Sequence, residues 1–425
     1  MLDFHISEKL SEEGMKYLFN ATPFVTPLMD HGEGSFVWDV DGNRYLDLNS
    51  GQFCLSFGHA YQPFIRAVCE QLNKIHHTNT STLTPEVYEA AKAMAEIAGG
   101  DLKKTIFLST GSEANECALR YSQFYTKRSG VLCIDQGYHG LTLGSQAVTM
   151  GGKWAMPSIP EFFAVSTPDH IHYGKGETKE EFVEAKIGEL KTVFAEKGNS
   201  LAAMIIEPVI GVGGMVRMPD AYLKAARELC DEYGVVLIFD ECQCGFARSG
   251  SWFVYQKANV YPDMVTTAKA MGMGLAVSAV TFSSRICEKI DGKLVHFSSH
   301  QNDPLSASVV KFVIEEIKNK GILETNKKNG AYLYSCLADV CDKVGFLINP
   351  RGEGLMCAFD IDETLTEDCR AFSGRYIEQL RQNGVLIQAI RQGRTFRIMP
   401  SYLTNKSEMD FLKDMLIKSA KEISM

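Results

Sequence analysis

The sequence predicts an α/β protein in which a large domain carries a mostly parallel, doubly wound sheet. Between residues 60 and 310, apolar runs of strand length alternate with helical stretches. Such alternation is typical of a parallel sheet that helices cover on both faces. A hairpin pattern precedes this region, and a mixture of helix and strand patterns follows it. We therefore expect residues 56–310 to form the large domain, and residues 1–55 and 311–425 to form a smaller α+β domain from both termini.

The individual elements are predicted from local patterns. Two alternating runs, residues 35–40 and 44–48, flank the turn signal Asp41-Gly42-Asn43 and indicate a hairpin. A helix is predicted over residues 219–233, between two of the strands. The strands predicted for the large domain are residues 105–108, 131–134, 203–207, 235–240, 264–267 and 276–282.

The composition argues against several classes of protein. Of the 425 residues, 45% are hydrophobic and 22% are charged, as in ordinary globular proteins. The net charge of −9 argues against nucleic acid or an anionic membrane as the main partner. No apolar stretch approaches the roughly 18 residues of a membrane-spanning helix, and the first residues, Met1-Leu2-Asp3-Phe4-His5, lack a signal-peptide pattern. We expect a cytoplasmic protein.

The spacing of the cysteines and histidines does not predict a metal site. Twelve cysteines are scattered, mostly within apolar runs, which is typical of reduced and buried thiols. Cys242 and Cys244 lack the second pair of ligands that zinc needs. His296 and His300 have the spacing of helical ligands, but the serines between them indicate a loop. We expect both histidines to be structural and no metal to be bound.

Two charged residues follow apolar strands at the same predicted edge of the sheet. Asp240 ends the run 235–240, and Lys269 follows the run 264–268. Ligands of open parallel sheets bind at the carboxyl ends of the strands. A lysine that can form a Schiff base, beside an aspartate that can hold a pyridinium nitrogen, is the pair that a pyridoxal phosphate (PLP) enzyme needs. Taken alone, two such residues would more often be a structural ion pair.

A glycine-containing turn follows the strand predicted at residues 105–108. The segment Ser109-Thr110-Gly111-Ser112-Glu113 opens a helical run. Free backbone N–H groups and the helix dipole at such a turn favour a phosphate, and the Ser112 hydroxyl adds a donor. The same serine and threonine also serve as simple helix caps, which is their commoner use.

Several motifs, taken in their order and spacing, resemble those of the class III aminotransferases, which are PLP enzymes of fold type I. They are Ser-Thr-Gly-Ser-Glu-Ala-Asn-Glu from residue 109, Gly-Tyr-His-Gly from 137, Glu-Pro-Val from 207, Asp-Glu-Cys-Gln from 240, Gly-Phe-Ala-Arg-Ser-Gly from 245 and Ala-Lys-Ala from 268. The hairpin segment and Arg397-Ile398-Met399-Pro400 also match, so the resemblance covers nearly the whole chain. It implies fold type I, with PLP as the cofactor.

The resemblance implies a role for each matching residue. Lys269 would hold PLP as a Schiff base and move a proton during the reaction. Asp240 would keep the pyridine nitrogen protonated, and Gln243 would bond the phenolic oxygen of the ring. Tyr138 would stack on one face of the ring. For the adjacent His139, a structural role near the ring and a catalytic role both remain open.

The resemblance also implies a shared active site. Gly111 and Ser112 would bind the phosphate from one subunit. Ser299 stands where the family usually supplies a threonine from the neighbouring subunit, and it keeps the hydroxyl. The implied assembly is therefore a homodimer with active sites shared across the interface. Cys242 would pack against the second face of the ring as a small apolar residue.

Arg397 matches the arginine that binds the substrate carboxylate in this family. A guanidinium suits a bidentate clamp on an amino-acid or keto-acid carboxylate. Many ω-aminotransferases mask this arginine with a glutamate five residues after the glutamate of the Glu-Pro motif, where this chain has Val212. The interpretation favours substrates that always present a carboxylate, and it disfavours a GABA- or ornithine-type enzyme.

Gln52 stands where the family commonly has an apolar residue, whereas dialkylglycine decarboxylase has glutamine there. The Ser-Ser-His-x-x-Asp-Pro segment from residue 298 also resembles that enzyme. However, Val212 replaces a serine of its substrate pocket, and Phe53 and Tyr138 alter the shape of the pocket. Gln52 would therefore hold either a carboxylate that is to be lost or a hydroxyl of a polar substrate.

We expect a PLP-dependent aminotransferase that moves an amino group between an amino acid and a keto acid, aldehyde or ketone acceptor. Decarboxylating transamination of the dialkylglycine type, racemisation and epimerisation are alternatives on the same fold. A non-enzymatic scaffold is a further alternative. Such a chain would typically have lost one of Lys269, Asp240 and Gln243, all of which are present.

Overall fold

The computed structural model describes residues 5–19, 21, 27–152, 159–174, 176–366 and 368–423. The argument against a signal peptide used the first five residues, and four of these, residues 1–4, lie outside the described part of the chain. The helices are α1 (His5–Gly14), α2 (Ser50–Phe53), α3 (Gln62–Leu72), α4 (Pro85–Ala98), α5 (Gly111–Thr126), α6 (Leu143–Ala147), α7 (His170–Tyr173), α8 (Lys179–Lys197), α9 (Asp220–Tyr233), α10 (Val254–Ala258), α11 (Ser284–Ile290), α12 (Pro304–Asn319), α13 (Ile322–Lys343), α14 (Cys369–Gln382) and α15 (Lys406–Ile423). The strands are β1 (Met29–Glu33), β2 (Phe36–Asp39), β3 (Arg44–Asp47), β4 (Leu102–Leu108), β5 (Gly130–Ile134), β6 (Phe162–Val165), β7 (Leu201–Ile206), β8 (Val209–Ile210), β9 (Val216–Arg217), β10 (Val236–Asp240), β11 (Met264–Thr267), β12 (Ser278–Ser283), β13 (Leu347–Gly352), β14 (Cys357–Ile361), β15 (Val385–Leu386), β16 (Gln388–Ile390) and β17 (Thr395–Ile398).

A seven-stranded sheet in the order β4-β12-β11-β10-β7-β5-β6 forms the centre of the fold. The strands from β11 to β6 in this order are parallel to one another. This confirms the predicted α/β class and the mostly parallel sheet. The exception is β12, which pairs antiparallel with both β11 and β4. Because only a short segment between residues 267 and 278 joins β11 to β12, the chain has no room for the helical crossover that parallel neighbours need.

All six strands predicted for the large domain are present, as β4, β5, β7, β10, β11 and β12. The predicted helix is α9, and the predicted hairpin is the antiparallel pair β2 and β3. The sequence analysis missed β6, which lies at the edge of the sheet and has only one fully buried residue among its four. An apolar run of four residues is too short to be assigned to a strand by periodicity alone.

The central strands are apolar on both faces because helices cover the sheet from both sides. Alternate residues of a strand point to opposite faces. In β10, Leu237 and Phe239 belong to one apolar cluster, to which α9 contributes. Val236 and Ile238 belong to a second cluster, to which α5 contributes. This two-sided burial explains the uninterrupted apolar sequence of the strand, and it leaves the polar residue at the end of the strand free for a site.

The two ends of the chain meet in a smaller sheet. β15 pairs parallel with β3, joining Val385 to Leu46, in a sheet of order β1-β2-β3-β15. A neighbouring four-stranded sheet has the order β13-β14-β17-β16. The domain boundaries remain a prediction, and the one placed after residue 310 falls within α12. In the described part of the chain, no helix has the length and apolar character needed to cross a membrane.

Candidate active site

A cavity of about 310 Å³ opens where β10 and β11 end. This is the edge at which open parallel sheets bind their ligands. Seven of the residues to which the family resemblance gives a role line the cavity. They are Gly111, Ser112, Tyr138, His139, Asp240, Cys242 and Lys269.

Asp240 is a buried carboxylate with donors on both oxygens. Its Oδ2 accepts hydrogen bonds from His139 Nδ1 at 2.8 Å and from Asn115 Nδ2 at 2.7 Å. Its Oδ1 accepts from the backbone N–H of Cys242 at 3.0 Å. Burial alone would raise the pKa of Asp240, but the hydrogen bond and charge of His139, with a smaller contribution from Lys269, lower it to about 2. The carboxylate is therefore ionised at neutral pH.

Lys269 lies directly after β11 with a φ of +52°, in the left-handed region that side chains other than glycine rarely adopt. It begins a 3₁₀ turn, Lys269–Gly272. Such a backbone costs on the order of 1–2 kcal/mol. The flanking residues Ala268, Ala270 and Met271 are buried and hold the turn in place. Strain of this kind is concentrated at functional sites.

The amino end of α5 forms a tight cradle at the cavity wall. Thr110 caps the helix, because its hydroxyl accepts a hydrogen bond from Glu113 N at 3.2 Å. The Ser112 hydroxyl accepts from Leu141 N at 3.3 Å. A Cβ atom on Gly140, whose φ is +115°, would lie 2.2 Å from Ser112 Oγ. Glycine at position 140 thus permits the close approach of two backbone segments, while Thr110 performs the capping that the sequence also suggested.

Glu207 is buried behind the cavity and fixes two loops. It accepts hydrogen bonds from the backbone N–H of Tyr138 at 2.7 Å and of Gly211 at 3.1 Å. Burial raises the pKa of Glu207 to about 7; the charge of His139 opposes this shift and that of Asp240 adds to it. The loop that carries Tyr138 is therefore held by a side chain from the Glu-Pro motif.

Arg397 is 6% exposed, and no described carboxylate forms an ion pair with it. Its Nη2 donates to Gln388 Oε1 at 2.7 Å, and its Nε has no hydrogen-bond partner. The guanidinium carbon lies 4.3 Å from the centre of the Phe53 ring. Burial lowers the pKa of Arg397 to about 10, although the charge of Glu207 opposes the shift. This arrangement differs from a solvent-exposed salt bridge.

Arg397 does not line the cavity, and three further predicted residues also lie outside the cavity wall. Gln243 is buried, and its Nε2 lies 3.4 Å from Met399 Sδ. Gln52 and Ser299 are exposed. Gln52 precedes by two residues Cys54, which lines the cavity. The roles inferred for these residues remain predictions.

Two of the residues weighed as metal ligands, Cys244 and His300, form hydrogen bonds with other side chains. Cys244 Sγ donates to Glu241 at 3.1 Å, and Cys242 lines the cavity. His77 and His300 both form hydrogen bonds of 2.6 Å with Asp303. These three side chains lie close enough together for a metal ion, but their mutual hydrogen bonds already occupy both carboxylate oxygens. The expectation of no bound metal stays a prediction.

Asn115 is a site residue that the sequence analysis missed. It is buried in α5, where its amide donates to Asp240 and to the carbonyl of His139, and its Oδ1 accepts from Thr266 Oγ1 at 2.7 Å. The available signal was an asparagine among the apolar residues of a helix face. A buried amide needs several hydrogen-bond partners, which places it beside other polar groups.

Comparison with known proteins agrees with this geometry. The family model described as aminotransferase class-III matches residues 20–419. The chain belongs to the class III aminotransferases. Members of this family depend on PLP, so the protein is a PLP-dependent aminotransferase, and the predicted fold type, activity class and cofactor are confirmed.

Individual relatives agree along almost the whole length of this aminotransferase. An acetylornithine aminotransferase of Methanothermobacter thermautotrophicus is 31% identical over 96% of this chain and 98% of that protein. An uncharacterised aminotransferase of Schizosaccharomyces pombe is 30% identical over 94% of this chain and 93% of that protein. Among solved structures, an (S)-enantioselective ω-transaminase of Thermomicrobium roseum has a TM-score of 0.90 at 27% identity, covering 99% of each chain.

Proposed function

We propose that this class III aminotransferase moves the amino group of an amino acid to a keto acid, aldehyde or ketone, with Lys269 and Asp240 as its catalytic residues. The observation that carries the proposal is their place in one cavity, where Asp240 accepts hydrogen bonds from His139 and Asn115 and His139 lowers its pKa. A buried carboxylate with a lowered pKa is suited to holding a cationic ring nitrogen.

The cavity residues suit PLP, which when bound supplies an electron sink for the substrate carbon. The carboxylate of Asp240 would hold the pyridine nitrogen. Gly111 and Ser112 would bind the phosphate at the amino end of α5, where the close approach of Gly140 shapes a cradle of backbone groups. Tyr138 and Cys242, which line the same cavity, would pack against the ring. Gln243 would bond the phenolic oxygen.

Lys269 would move the proton that transamination requires. The Lys269 amine would act as the general base that takes a proton from the α-carbon of the substrate, and PLP when bound would supply the electron sink that makes this carbon acidic. We assign His139 to positioning: its Nδ1 bonds Asp240 and its side chain is fully buried. Proton transfer by the lysine is therefore separate from the His139–Asp240 pair, which holds the ring.

Arg397 would bind the carboxylate of the amino donor and of the acceptor. Support comes from its burial without an ion pair and from Val212, which offers no carboxylate to mask it. The relatives named above include acetylornithine aminotransferases. Identity to these relatives is only about 31%, and this chain has Val212 where a masking glutamate would stand. We therefore propose the broader class of carboxylate-bearing amino donors as substrates of this enzyme.

Decarboxylating transamination and racemisation are not favoured, since the matching relatives are aminotransferases. Gln52 nevertheless offers a direct test. The bond that breaks in the bound substrate is the one held perpendicular to the cofactor ring, so a residue that grips a carboxylate there would promote loss of CO₂. We expect 2-aminoisobutyrate, which has no α-proton, to release no CO₂. We expect Gln52→Ala to impair mainly the acceptor half-reaction. Release of CO₂ at a rate comparable to transamination would reverse the assignment.

We also propose that the enzyme is a homodimer in the cytoplasm. Ser299 is exposed and lies outside the cavity of its own chain, as expected if its hydroxyl completes the phosphate site of a partner. All twelve cysteines are free, which is typical of a reducing compartment. Sedimentation of the PLP-loaded enzyme, and mixed dimers of Ser299→Ala and Lys269→Ala chains, would test the shared site.

A half-reaction screen tests the proposed function. The PLP-loaded enzyme is mixed with single amino donors, and loss of the visible cofactor band is recorded together with the keto product. We expect carboxylate-bearing donors to discharge the band and yield keto acid without CO₂. If no amino acid discharges it, or if the product is an inverted amino acid, the proposal is wrong.

A further inference from the structure

We infer that Gln388 determines specificity by holding Arg397 in place without neutralising it, so that the site selects substrates with a carboxylate. This inference rests on the proposed role of Arg397. Gln388 is outside the motifs that define the family resemblance. Its part in the site follows from its hydrogen bond to the guanidinium.

The geometry gives Arg397 two supports, neither of which carries a negative charge. Gln388 on β16 is the register partner of Arg397 on β17, and its Oε1 accepts the Nη2 hydrogen bond at 2.7 Å. The ring of Phe53 lies against the guanidinium at 4.3 Å. Phe53 is itself held with a φ of +63° and is almost fully buried. The guanidinium is thus oriented from two sides, while its buried Nε keeps an unused donor.

A neutral hydrogen-bond partner leaves the buried Arg397 guanidinium more able to bind an anion than a carboxylate partner would. A buried cation without a counter-ion has lost its hydration and gains strongly from an arriving anion. A carboxylate partner would satisfy the cation internally, and a substrate would then have to displace that partner first. A carboxylate in place of the amide would add the Coulombic attraction between two opposite charges to this hydrogen bond. The amide of Gln388 therefore fixes the direction of Arg397 and leaves its charge available.

Two substitutions separate charge from positioning. Gln388→Glu supplies the missing carboxylate in nearly the same shape, and Gln388→Leu removes the hydrogen bond without adding charge. Gln62→Glu, an exposed position at the start of α3, is the matched control for adding one negative charge. Each PLP-loaded protein is titrated with propionate, a carboxylate that has no amine, and binding is followed through the cofactor absorption. Cofactor content and Tm are measured in parallel.

We expect Gln388→Glu to weaken propionate binding at least tenfold, Gln388→Leu to weaken it about threefold, and Gln62→Glu to leave it unchanged. With an amino-acid donor, KM should follow the same order, while kcat changes less. Unchanged propionate affinity in Gln388→Glu would overturn the inference. Equal losses in the Glu and Leu variants would also overturn it, since positioning alone would then explain the effect. Propionate binding requires no turnover, so failure of the proposed function would appear separately, as a wild-type enzyme that binds propionate but transaminates nothing.

Discussion

Replacing Arg397 should weaken carboxylate recognition without harming the fold. The guanidinium is buried, has one neutral hydrogen-bond partner and keeps one unused donor. Removing one partner of a buried, hydrogen-bonded charge pair costs about 2–5 kcal/mol. At about 1.4 kcal/mol for each factor of ten, Arg397→Ala should lower kcat/KM for an amino-acid donor by about 30- to 3,000-fold, mainly through KM. PLP affinity should change little, because the cofactor-facing residues are untouched.

The thermal stability of variants at position 397 provides a second measurement, because we expect the loss of this buried residue not to lower Tm. Since Arg397 has no described ion-pair partner, its burial costs hydration that the charge of Glu207 offsets only in part. Arg397→Met, which fills most of the volume, should therefore have a Tm equal to or above that of the wild type. The control is Arg394→Ala, which removes a surface ion pair with Glu363 at 3.0 Å, worth about 0–1 kcal/mol, and an exposed hydrogen bond to Gln392 at 3.4 Å. An unchanged KM in Arg397→Ala, or an equal rise in Arg394→Ala, would refute the carboxylate clamp.

Three other perturbations test separate parts of the site. Lys269→Ala should abolish turnover and the visible band of bound PLP, as measured by absorption of the purified protein; a normal band in this variant would refute the assignment. Gly140→Ala introduces a clash and a strained φ, which costs on the order of 1–3 kcal/mol; we expect a lower Tm and at least tenfold weaker PLP binding, and unchanged values would contradict the cradle. Burial alone would lower the pKa of His172, but its hydrogen bonds to Asp169 and Asp360 raise it overall. Its stabilising contribution should therefore be complete below about pH 6.5, the unfolded pKa, and be lost as the pH rises through the folded pKa; the Tm difference between wild type and His172→Gln should shrink from pH 6 to pH 9, and a constant difference would contradict this.

The parts of the site that could be predicted from sequence are those governed by local rules. Asp240 and Lys269 were identified because each follows an apolar run, and the ends of parallel strands meet at one edge of a sheet. The structure brings both to one cavity. Asn115 escaped the same reasoning because its partners belong to the distant strands β10 and β11. The hydrogen-bond partners of a polar residue within a helix can be identified only when the packing of that helix is known.

The antiparallel strand β12 shows a similar limit. Its sequence reads as a buried strand and was predicted as one, but direction is not encoded in an apolar run. Direction follows from the connection, and the segment before β12 contains glycines and a 3₁₀ turn, with no crossover helix. Ser299 and Gln52 show another limit: both are exposed in the single chain, and the partners proposed for them, a second subunit and the substrate, are separate molecules.

The pairing of Gln388 with Arg397 could not be deduced from their separation of nine residues. A hairpin with a longer or shorter turn would pair Arg397 with a different residue, and a shift of one residue would turn Gln388 to the opposite face of the sheet. Here the turn between β16 and β17 contains Arg391 and Gln392, both with positive φ, and then Gly393. This left-handed run sets the register in which Gln388 faces Arg397. The substrate preference that we infer therefore depends on turn residues that touch neither the cofactor site nor the guanidinium. Lengthening this turn by one residue should impair carboxylate binding as strongly as changing Gln388 itself.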